Sequence, residues 1–202
     1  MKKILLVDDH NIILTGLKFW LKQNSDWKTV ETFTTGEEAI IFLQNLTAQE
    51  LPDIVLFDVQ LKDELSFPFI KEIRQQFPSL KIVIYSMFDS TGYILTAKDC
   101  GAQGYVSKSA PETKLLETLE RIYNGEECFE LIEPEKMTKI YQLFDLMTKQ
   151  ERKVFQMILM NFTNKQISEN LQIKIHTVEK YISSIYEKIG VTFREEIWEL
   201  YK

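Results

Sequence analysis

Two short apolar runs, each stopped by carboxylates, constrain the fold of this 202-residue chain more than any other feature. Residues 3–7 lead directly into Asp8 and Asp9, and residues 54–57 lead into Asp58. Short runs of this kind are typical of strands buried on both faces of a parallel sheet. Because ligands of open α/β sheets bind at the carboxyl ends of the strands, we expect the three carboxylates to share one edge.

Three carboxylates brought close together repel one another, and a bound divalent cation would relieve that repulsion. Hard oxygen ligands without a thiol or imidazole suit magnesium, so the cluster predicts a Mg²⁺ site. Taken singly, each acid fits an ordinary turn or helix-capping aspartate as well as it fits a functional carboxylate.

Strand-like and helix-like patterns alternate through residue 125, giving five strands and five helices. This order predicts an α/β fold, a doubly wound five-stranded parallel sheet with right-handed crossovers. Capping boxes are predicted at Thr35 with Glu38 and at Ser109 with Glu112, and residues 60–65 are predicted to form a loop.

Two more polar residues stand at predicted strand ends, Ser86 after the fourth strand and Lys108 after the fifth. Asp58 is a candidate nucleophile for a phosphoryl group, because carboxylates form aspartyl phosphates. Lys108 and a magnesium ion would neutralise the transferring oxygens, and Ser86 could donate a hydrogen bond to the attached group.

The charge is divided unevenly along the chain. Residues 1–147 carry 15 Lys and Arg against 23 Asp and Glu, a net charge of −8, and residues 148–202 carry 9 against 7, a net charge of +2. This asymmetry predicts two domains with different partners. The apolar run near the N-terminus is too short for a signal peptide or a membrane span, so we expect a soluble cytoplasmic protein without a membrane partner. Cys100 and Cys128 are expected to be reduced thiols.

Residues 126–146 form an acidic, proline-containing linker, and the apolar spacing from Met137 predicts a short helix there. That helix could pack the two domains together or contribute to dimerisation. Residues 147–202 contain two more capping boxes, at Thr148 with Glu151 and at Thr163 with Gln166, followed by a long amphipathic helix.

The long helix has two distinct faces. This pattern predicts an all-α, four-helix helix-turn-helix domain that binds double-stranded DNA, with a generic protein-binding bundle as the alternative. The predicted buried stripe is Ile175, Val178, Ile182, Ile185 and Ile189, and the opposite face carries His176, Thr177, Lys180, Tyr181 and Ser184.

The first 125 residues resemble the flavodoxin-like receiver domain of bacterial two-component response regulators, through LLVDDH at 5–10, Asp58, Ser86 and GYVSK at 104–108. The resemblance implies that Asp58 accepts a phosphoryl group from a histidine kinase or a small phosphodonor. It also implies a switch formed by Ser86, Tyr105 and Lys108. The implied Mg²⁺ ligands are Asp8 through water, Asp9, Asp58 and the main-chain carbonyl of Gln60.

Residues 147–202 resemble the LuxR-type DNA-binding domain, through TVEK at 177–180 and KIGV at 188–191, which would place the chain in the NarL/FixJ family. Lys174, Tyr181 and Ser184 depart from the family's usual serine, histidine and asparagine, and these departures bear on target preference more than on the ability to bind DNA. The implied DNA-contacting residues are Lys165, Lys174, His176, Thr177, Glu179, Lys180, Tyr181 and Ser184.

The sequence thus predicts a transcription regulator with a receiver at 1–125, a linker at 126–146 and a helix-turn-helix domain at 147–202. Phosphorylation of Asp58 would control dimerisation and DNA binding. The alternative is a phosphorylation-controlled signalling protein whose C-terminal domain binds another protein. An enzymatic function is less well supported. Gln60 stands where an aspartate-nucleophile phosphatase needs its second aspartate, and the G-x-G-x-x-G motif of a dinucleotide-binding enzyme does not follow the first strand.

Overall fold

The computed structural model describes residues 1–62 and 64–201. They divide into two compact units. The first comprises residues 1–89 and 97–129. The second comprises residues 90–96 and the chain from Glu130 onward.

The described strands of the first unit are β1 (Lys2–Val7), β2 (Trp27–Phe33), β3 (Ile54–Phe57), β4 (Gln60–Leu61), β5 (Glu64–Leu65), β6 (Lys81–Ser86) and β7 (Gly104–Ser107). Five of them form a parallel sheet in the order β2-β1-β3-β6-β7, as predicted for a doubly wound fold. The order places β1 and β3 side by side, so their carboxyl ends meet.

The loop predicted over residues 60–65 is wrong in part, because β4 and β5 pair as a small antiparallel hairpin. Two-residue strands carry no periodicity that a sequence pattern could reveal. The helices that follow the strands are α1 (Asn11–Asn24), α2 (Gly36–Gln44), α3 (Phe67–Gln76), α4 (Thr91–Asp99) and α5 (Glu112–Tyr123).

The start of α5 also differs from the prediction. Its N-cap is Pro111, which lies in the extended region and makes no side-chain capping bond. The Ser109 hydroxyl lies 2.8 Å from that of Ser107 instead, so the predicted Ser109 capping box is wrong. A residue before proline is disfavoured in helical conformation, which delays the helix past Ala110.

The central strands are buried on both faces, as their unbroken apolar sequence predicts. Leu5 and Val55 are fully buried, and Ile4 and Leu56 lie in the core cluster that packs against α1 and α5. A strand this completely buried fixes the position of the residue that follows it, which is how the fold places its acidic groups.

The second unit contains a helix-turn-helix. The capping boxes predicted at Thr148 and Thr163 are both present, and Gly190 ends the long helix in the left-handed conformation at φ 77°. Its helices are α6 (Pro134–Asp145), α7 (Lys149–Leu159), α8 (Asn164–Leu171), α9 (Ile175–Ile189) and α10 (Arg194–Tyr201).

The predicted linker helix, α6, packs onto α7 within this unit. Ile140 and Phe144 are buried, and the Phe144 ring meets that of Phe155 edge to face at 6.2 Å. In α9 the predicted stripe is buried at Val178, Ile182 and Ile185.

The ends of that stripe were predicted wrongly. Ile175 is 46% exposed and Ile189 only half-buried, because they occupy the first and last positions of α9. Among the described residues, no helix combines the length and apolar character needed to span a membrane.

Candidate functional site

The acidic cluster lies where β1 and β3 end. The main-chain N–H of Asp58 donates to the Val7 carbonyl at 2.9 Å, and the N–H of Asp8 donates to the Phe33 carbonyl at 3.1 Å. These bonds extend the parallel ladder by one residue and hold the two carboxylates next to each other. Asp8 is 3% exposed and Asp58 is 6% exposed.

Lys108, which follows β7, reaches both carboxylates. Its Nζ donates to Asp8 Oδ2 at 2.6 Å and to Asp58 Oδ2 at 2.5 Å. Burial disfavours the charged ammonium, but the hydrogen bonds and attraction from Asp58 and Asp8 outweigh it and raise the pKa of Lys108. The lysine therefore stays cationic beside the buried Asp58.

Ser86 lies on the other side of Asp58. Its hydroxyl donates to Asp58 Oδ1 at 2.5 Å and accepts from the N–H of Phe88 at 3.4 Å. The Tyr105 hydroxyl donates to the Phe88 carbonyl. Asp58, Ser86, Lys108 and Tyr105 are thus brought into one connected arrangement.

The remaining predicted ligands lie at the rim. The N–H of Lys62, in the turn of the small hairpin, donates to Asp9 Oδ2 at 3.0 Å, and the Gln60 side chain donates to the Lys62 carbonyl at 2.8 Å. This hairpin, whose first strand carries Gln60, therefore contacts Asp9.

The donor set fits a hard cation. One ligand atom from each of Asp8, Asp9, His10 and Asp58 falls within 4.8 Å of the others. Asp9 Oδ1 is buried and accepts no hydrogen bond from the described residues, although His10 Nδ1 lies 2.7 Å away. Such an unsatisfied carboxylate oxygen suits Mg²⁺ coordination.

His10 is an addition to the predicted site. Its main-chain N–H donates to Asp8 Oδ1 at 2.9 Å, and its side chain is largely exposed. Its position directly after the two aspartates is the sequence signal for this contact.

The predicted DNA-contacting residues fall on α8 and α9. Lys165 lies in the first turn of α8 and Lys174 is the N-cap of α9, and both are exposed. His176, Glu179 and Lys180 are exposed on α9 as well, whereas Thr177 and Tyr181 are half-buried.

Ser184 points to a different partner. Its hydroxyl donates to Glu151 Oε1 at 2.6 Å, and Lys188 donates to both oxygens of Glu151 at 2.8 and 2.7 Å. Glu151 is 4% exposed. Burial would raise the pKa of its carboxyl, but the bonds from Lys188, Ser184 and Thr148 lower it to about 2.

The role of Glu151 between α7 and α9 was not predicted. The sequence predicted Glu151 as the acidic residue of a capping box. The structure confirms this, since the Glu151 carboxylate accepts from the Thr148 N–H at 2.7 Å. The sequence signal for the second role is Lys188, which falls one turn after Ser184 on the same helix face.

Comparisons with known proteins bear on both units. Residues 4–120 match the family model of the response regulator receiver domain. Residues 145–200 match that of bacterial regulatory proteins, luxR family. Oxygen regulatory protein NreC from Staphylococcus aureus (strain JH9) is 28% identical over 210 residues, covering 98% of this chain and 95% of NreC.

Solved structures agree with the fold. The two-component response regulator RcsB, in a complex with DNA, superposes with a TM-score of 0.62 at 23% identity over 98% of this chain and 96% of that chain. A LuxR-family response regulator from Aurantimonas sp. SI85-9A1 superposes with a TM-score of 0.59 at 27% identity over 69% of this chain and 95% of that chain. Since the receiver match spans more than half of the chain and a luxR-family match follows it, the chain belongs to the NarL/FixJ family of response regulators, transcription regulators that join a receiver domain to a LuxR-type DNA-binding domain.

Proposed function

We propose that Asp58 accepts the phosphoryl group that controls this regulator. The observation that carries the proposal is the pair of contacts on its buried carboxylate, from the Lys108 ammonium at 2.5 Å and the Ser86 hydroxyl at 2.5 Å. A cation and a hydroxyl donor on a buried carboxylate can stabilise the phosphoryl oxygens when that carboxylate forms an acyl phosphate.

The transfer needs little chemistry from the protein beyond positioning and charge. One oxygen of Asp58 attacks the phosphorus of a phosphohistidine on a histidine kinase, or of a small acyl phosphate. The new O–P bond forms as the old P–N or P–O bond breaks, and the leaving group keeps the electron pair. Lys108 stabilises negative charge on the phosphoryl oxygens.

Asp8, Asp9, Asp58 and the main-chain carbonyl of Gln60 are the groups that would hold Mg²⁺. When bound, the ion would supply further charge neutralisation at the phosphoryl oxygens. The crowding of Asp8 and Asp9 near Asp58 supports this assignment, because the three carboxylates repel one another and Lys108 supplies one positive charge against three negative ones.

Phosphorylation would change the hydrogen bonds of Ser86. In this structure its hydroxyl donates to Asp58 itself. A phosphoryl oxygen on Asp58 would compete for that hydroxyl, and Phe88, which donates to Ser86, would follow it. Tyr105 would respond through its bond to Phe88.

The output is sequence-specific DNA binding by α8 and α9. Lys165 of α8, with Lys174 and Lys180, would contact phosphates, and His176, Thr177 and Tyr181 would face base edges. Two phosphorylated copies would pair so that two recognition helices reach neighbouring half-sites. Exposure of these side chains supports the assignment for all but the half-buried Thr177 and Tyr181. Ser184, engaged with Glu151, is proposed to orient α9.

The test is phosphoryl incorporation from a small phosphodonor into the full chain with Mg²⁺, followed by intact mass spectrometry. We expect the wild type to gain one phosphoryl group and Asp58→Asn to gain none, because an amide oxygen cannot form the acyl phosphate. Fluorescence anisotropy with selected genomic DNA should then show tighter binding only for the wild type.

Asp26→Asn, a change at an exposed aspartate of the same unit, is the matched control and should behave as wild type. Incorporation by Asp58→Asn at the wild-type rate would place the acceptor elsewhere. Saturable binding in neither state would reject DNA as the output.

A further inference from the structure

We propose that residues 127–129 form a releasable clamp on the edge of the receiver sheet, and that phosphorylation opens it to free the linker. We call this the edge clamp; it comprises Glu127, Cys128 and Phe129 with their partners Lys98, Gln103, Gly104 and Tyr105. The inference rests on the proposed phosphorylation of Asp58 and adds the regulation of that site.

The edge clamp is a one-residue extension of the sheet. β7 is the edge strand, and Cys128 pairs with Gly104 in a parallel bridge on its outer side. The Cys128 N–H donates to the Gln103 carbonyl at 2.8 Å, and the Tyr105 N–H donates to the Cys128 carbonyl at 2.9 Å. Two main-chain hydrogen bonds thus join the start of the linker to the strand that carries Tyr105.

The Lys98 side chain of α4 contacts the same segment. Lys98 Nζ lies 2.9 Å from Glu127 Oε2 and 4.8 Å from the centre of the Phe129 ring. Both Glu127 and Lys98 are partly open to solvent, and ion pairs of that kind contribute little net stability. The Lys98 contacts are therefore the part of the clamp that a modest change could break.

Gly104 is the residue that permits this close approach. A Cβ at that position would overlap the Ile122 side chain and would lie 3.1 Å from the Cys128 carbonyl oxygen. A larger residue would require the end of the Ile122 side chain to turn away and the Cys128 carbonyl to shift by a few tenths of an ångström. The bridge is thus built into the strand and does not depend on Lys98 alone.

A continuous series of hydrogen bonds joins the edge clamp to the phosphorylation site. Ser86 donates to Asp58, Phe88 donates to Ser86, and Tyr105 donates to the Phe88 carbonyl. The N–H of that same Tyr105 donates to Cys128. A phosphoryl group that draws Ser86 away from its present partner would disturb Phe88, then Tyr105, and then the bridge.

The position of the edge clamp in the chain determines what its opening would change. The longer segment of the second unit begins at Glu130, directly after Phe129, and Lys98 follows Ala97, where the chain re-enters the first unit. Opening the edge clamp would lengthen the connection from the receiver sheet to α6 and the DNA-binding helices. Two copies could then place both recognition helices on one DNA.

Hydrogen exchange of the full-length protein tests this proposal directly. The amide of Cys128 would be followed by mass spectrometry on peptides covering residues 126–129, with Mg²⁺ alone and with Mg²⁺ plus beryllofluoride as a phosphoryl analogue. We expect the Cys128 amide to exchange at least tenfold faster with the analogue, while the amides of β3 stay protected.

Variants at Lys98 separate the clamp from general destabilisation. Lys98→Ala should speed Cys128 exchange without the analogue and raise the DNA affinity of the unphosphorylated protein several-fold. Lys98→Arg keeps both contacts and should restore slow exchange. Lys22→Ala, a change at an exposed lysine of α1, should leave exchange unchanged.

The outcomes distinguish the two proposals. If phosphoryl incorporation at Asp58 occurs but Cys128 exchange is unchanged or slower, the edge clamp is overturned and the proposed function stands. If no phosphoryl group is incorporated at all, the proposed function fails and the clamp fails with it.

Discussion

Glu151 is a side chain in the second unit on which several polar contacts converge. It is nearly fully buried, caps α7 through the Thr148 N–H and accepts from both Ser184 and Lys188 on α9. Its role is structural, because it fixes the position of the helix proposed to read DNA. A buried carboxylate with that many donors is costly to disturb.

Glu151→Gln should therefore destabilise the second unit. We expect a loss of about 2 kcal/mol, below the usual cost of breaking a fully buried pair because Lys188 keeps partial contact with water. The readout is urea unfolding followed by the fluorescence of Trp198, which is the tryptophan of this unit. Glu169→Gln, at an exposed position of α8, is the control and should change little.

The pH profile provides the check on mechanism. The pKa of Glu151 falls from an ordinary 4.5 to about 2 on folding, so its stabilisation is complete above about pH 4.5 and is lost as pH falls toward 2. The wild type and Glu151→Gln should converge in stability over that window. A gap between them that stayed constant down to pH 2 would contradict the proposed ionised pair.

At the residue scale, the sequence predicted which side chains lie close together better than it predicted the hydrogen bonds that they form. Asp8, Asp58 and Lys108 follow buried strands, and burial of those strands leaves their positions little freedom. The contacts of Glu151 with Ser184 and Lys188 depend on how α7 packs against α9, more than thirty residues along the chain. The pattern of α7 by itself does not encode that packing.

At the element scale, α9 has two faces with different tasks. Val178, Ile182 and Ile185 are buried, and Ser184 and Lys188 bond to α7 beside them. Lys180 is exposed on the solvent side. The position of a residue on the helix therefore predicts which property its substitution changes.

Lys180→Ala and Ser184→Ala should act differently. We expect Lys180→Ala to weaken binding to all DNA sequences and to reduce the slope of log affinity against log salt by about one, with stability unchanged. Ser184→Ala should instead lower the unfolding free energy by about 1 kcal/mol through loss of its bond to Glu151. Anisotropy across a salt series and urea unfolding measure the two effects.

The result that would reject this division is a change in base preference for Ser184→Ala at unchanged stability. That outcome would return Ser184 to the DNA-contacting set implied by the family resemblance. Lys139→Ala on α6, at an exposed position outside α8 and α9, is the control for both measurements.

The start of a helix was predictable where the sequence contains a complete capping box and no competing backbone constraint. Thr148 and Thr163 each form the reciprocal bonds of a capping box, because the residue three positions on is Glu or Gln and no proline intervenes. Ser109 has the same spacing, but Pro111 displaces the helix start. A spacing rule therefore fails when a stronger backbone constraint lies within it.

At the scale of the whole molecule, the fold class followed from strict alternation of strands and helices, since right-handed crossovers leave few other topologies. The division into units did not follow as simply. The first turns of α4 group with the C-terminal unit, and the N-terminal unit extends to Phe129. Sequence composition marks a linker by its charge and its proline, but it does not show where the linker's own residues pack.

The arrangement of two whole molecules would also determine which spacing of half-sites they bind. If phosphorylation pairs two chains, their α9 helices should occupy half-sites about one helical turn, roughly 10 base pairs, apart. Inserting about five base pairs between half-sites turns one of them to the opposite side of the duplex. We expect the affinity of the phosphorylated protein to fall at least tenfold on that DNA and to recover in part when about ten base pairs are inserted, as measured by anisotropy. Asp58→Asn should bind all three DNAs alike, because it would not pair. Equal affinity of the phosphorylated wild type for the three would show that each copy binds its half-site independently.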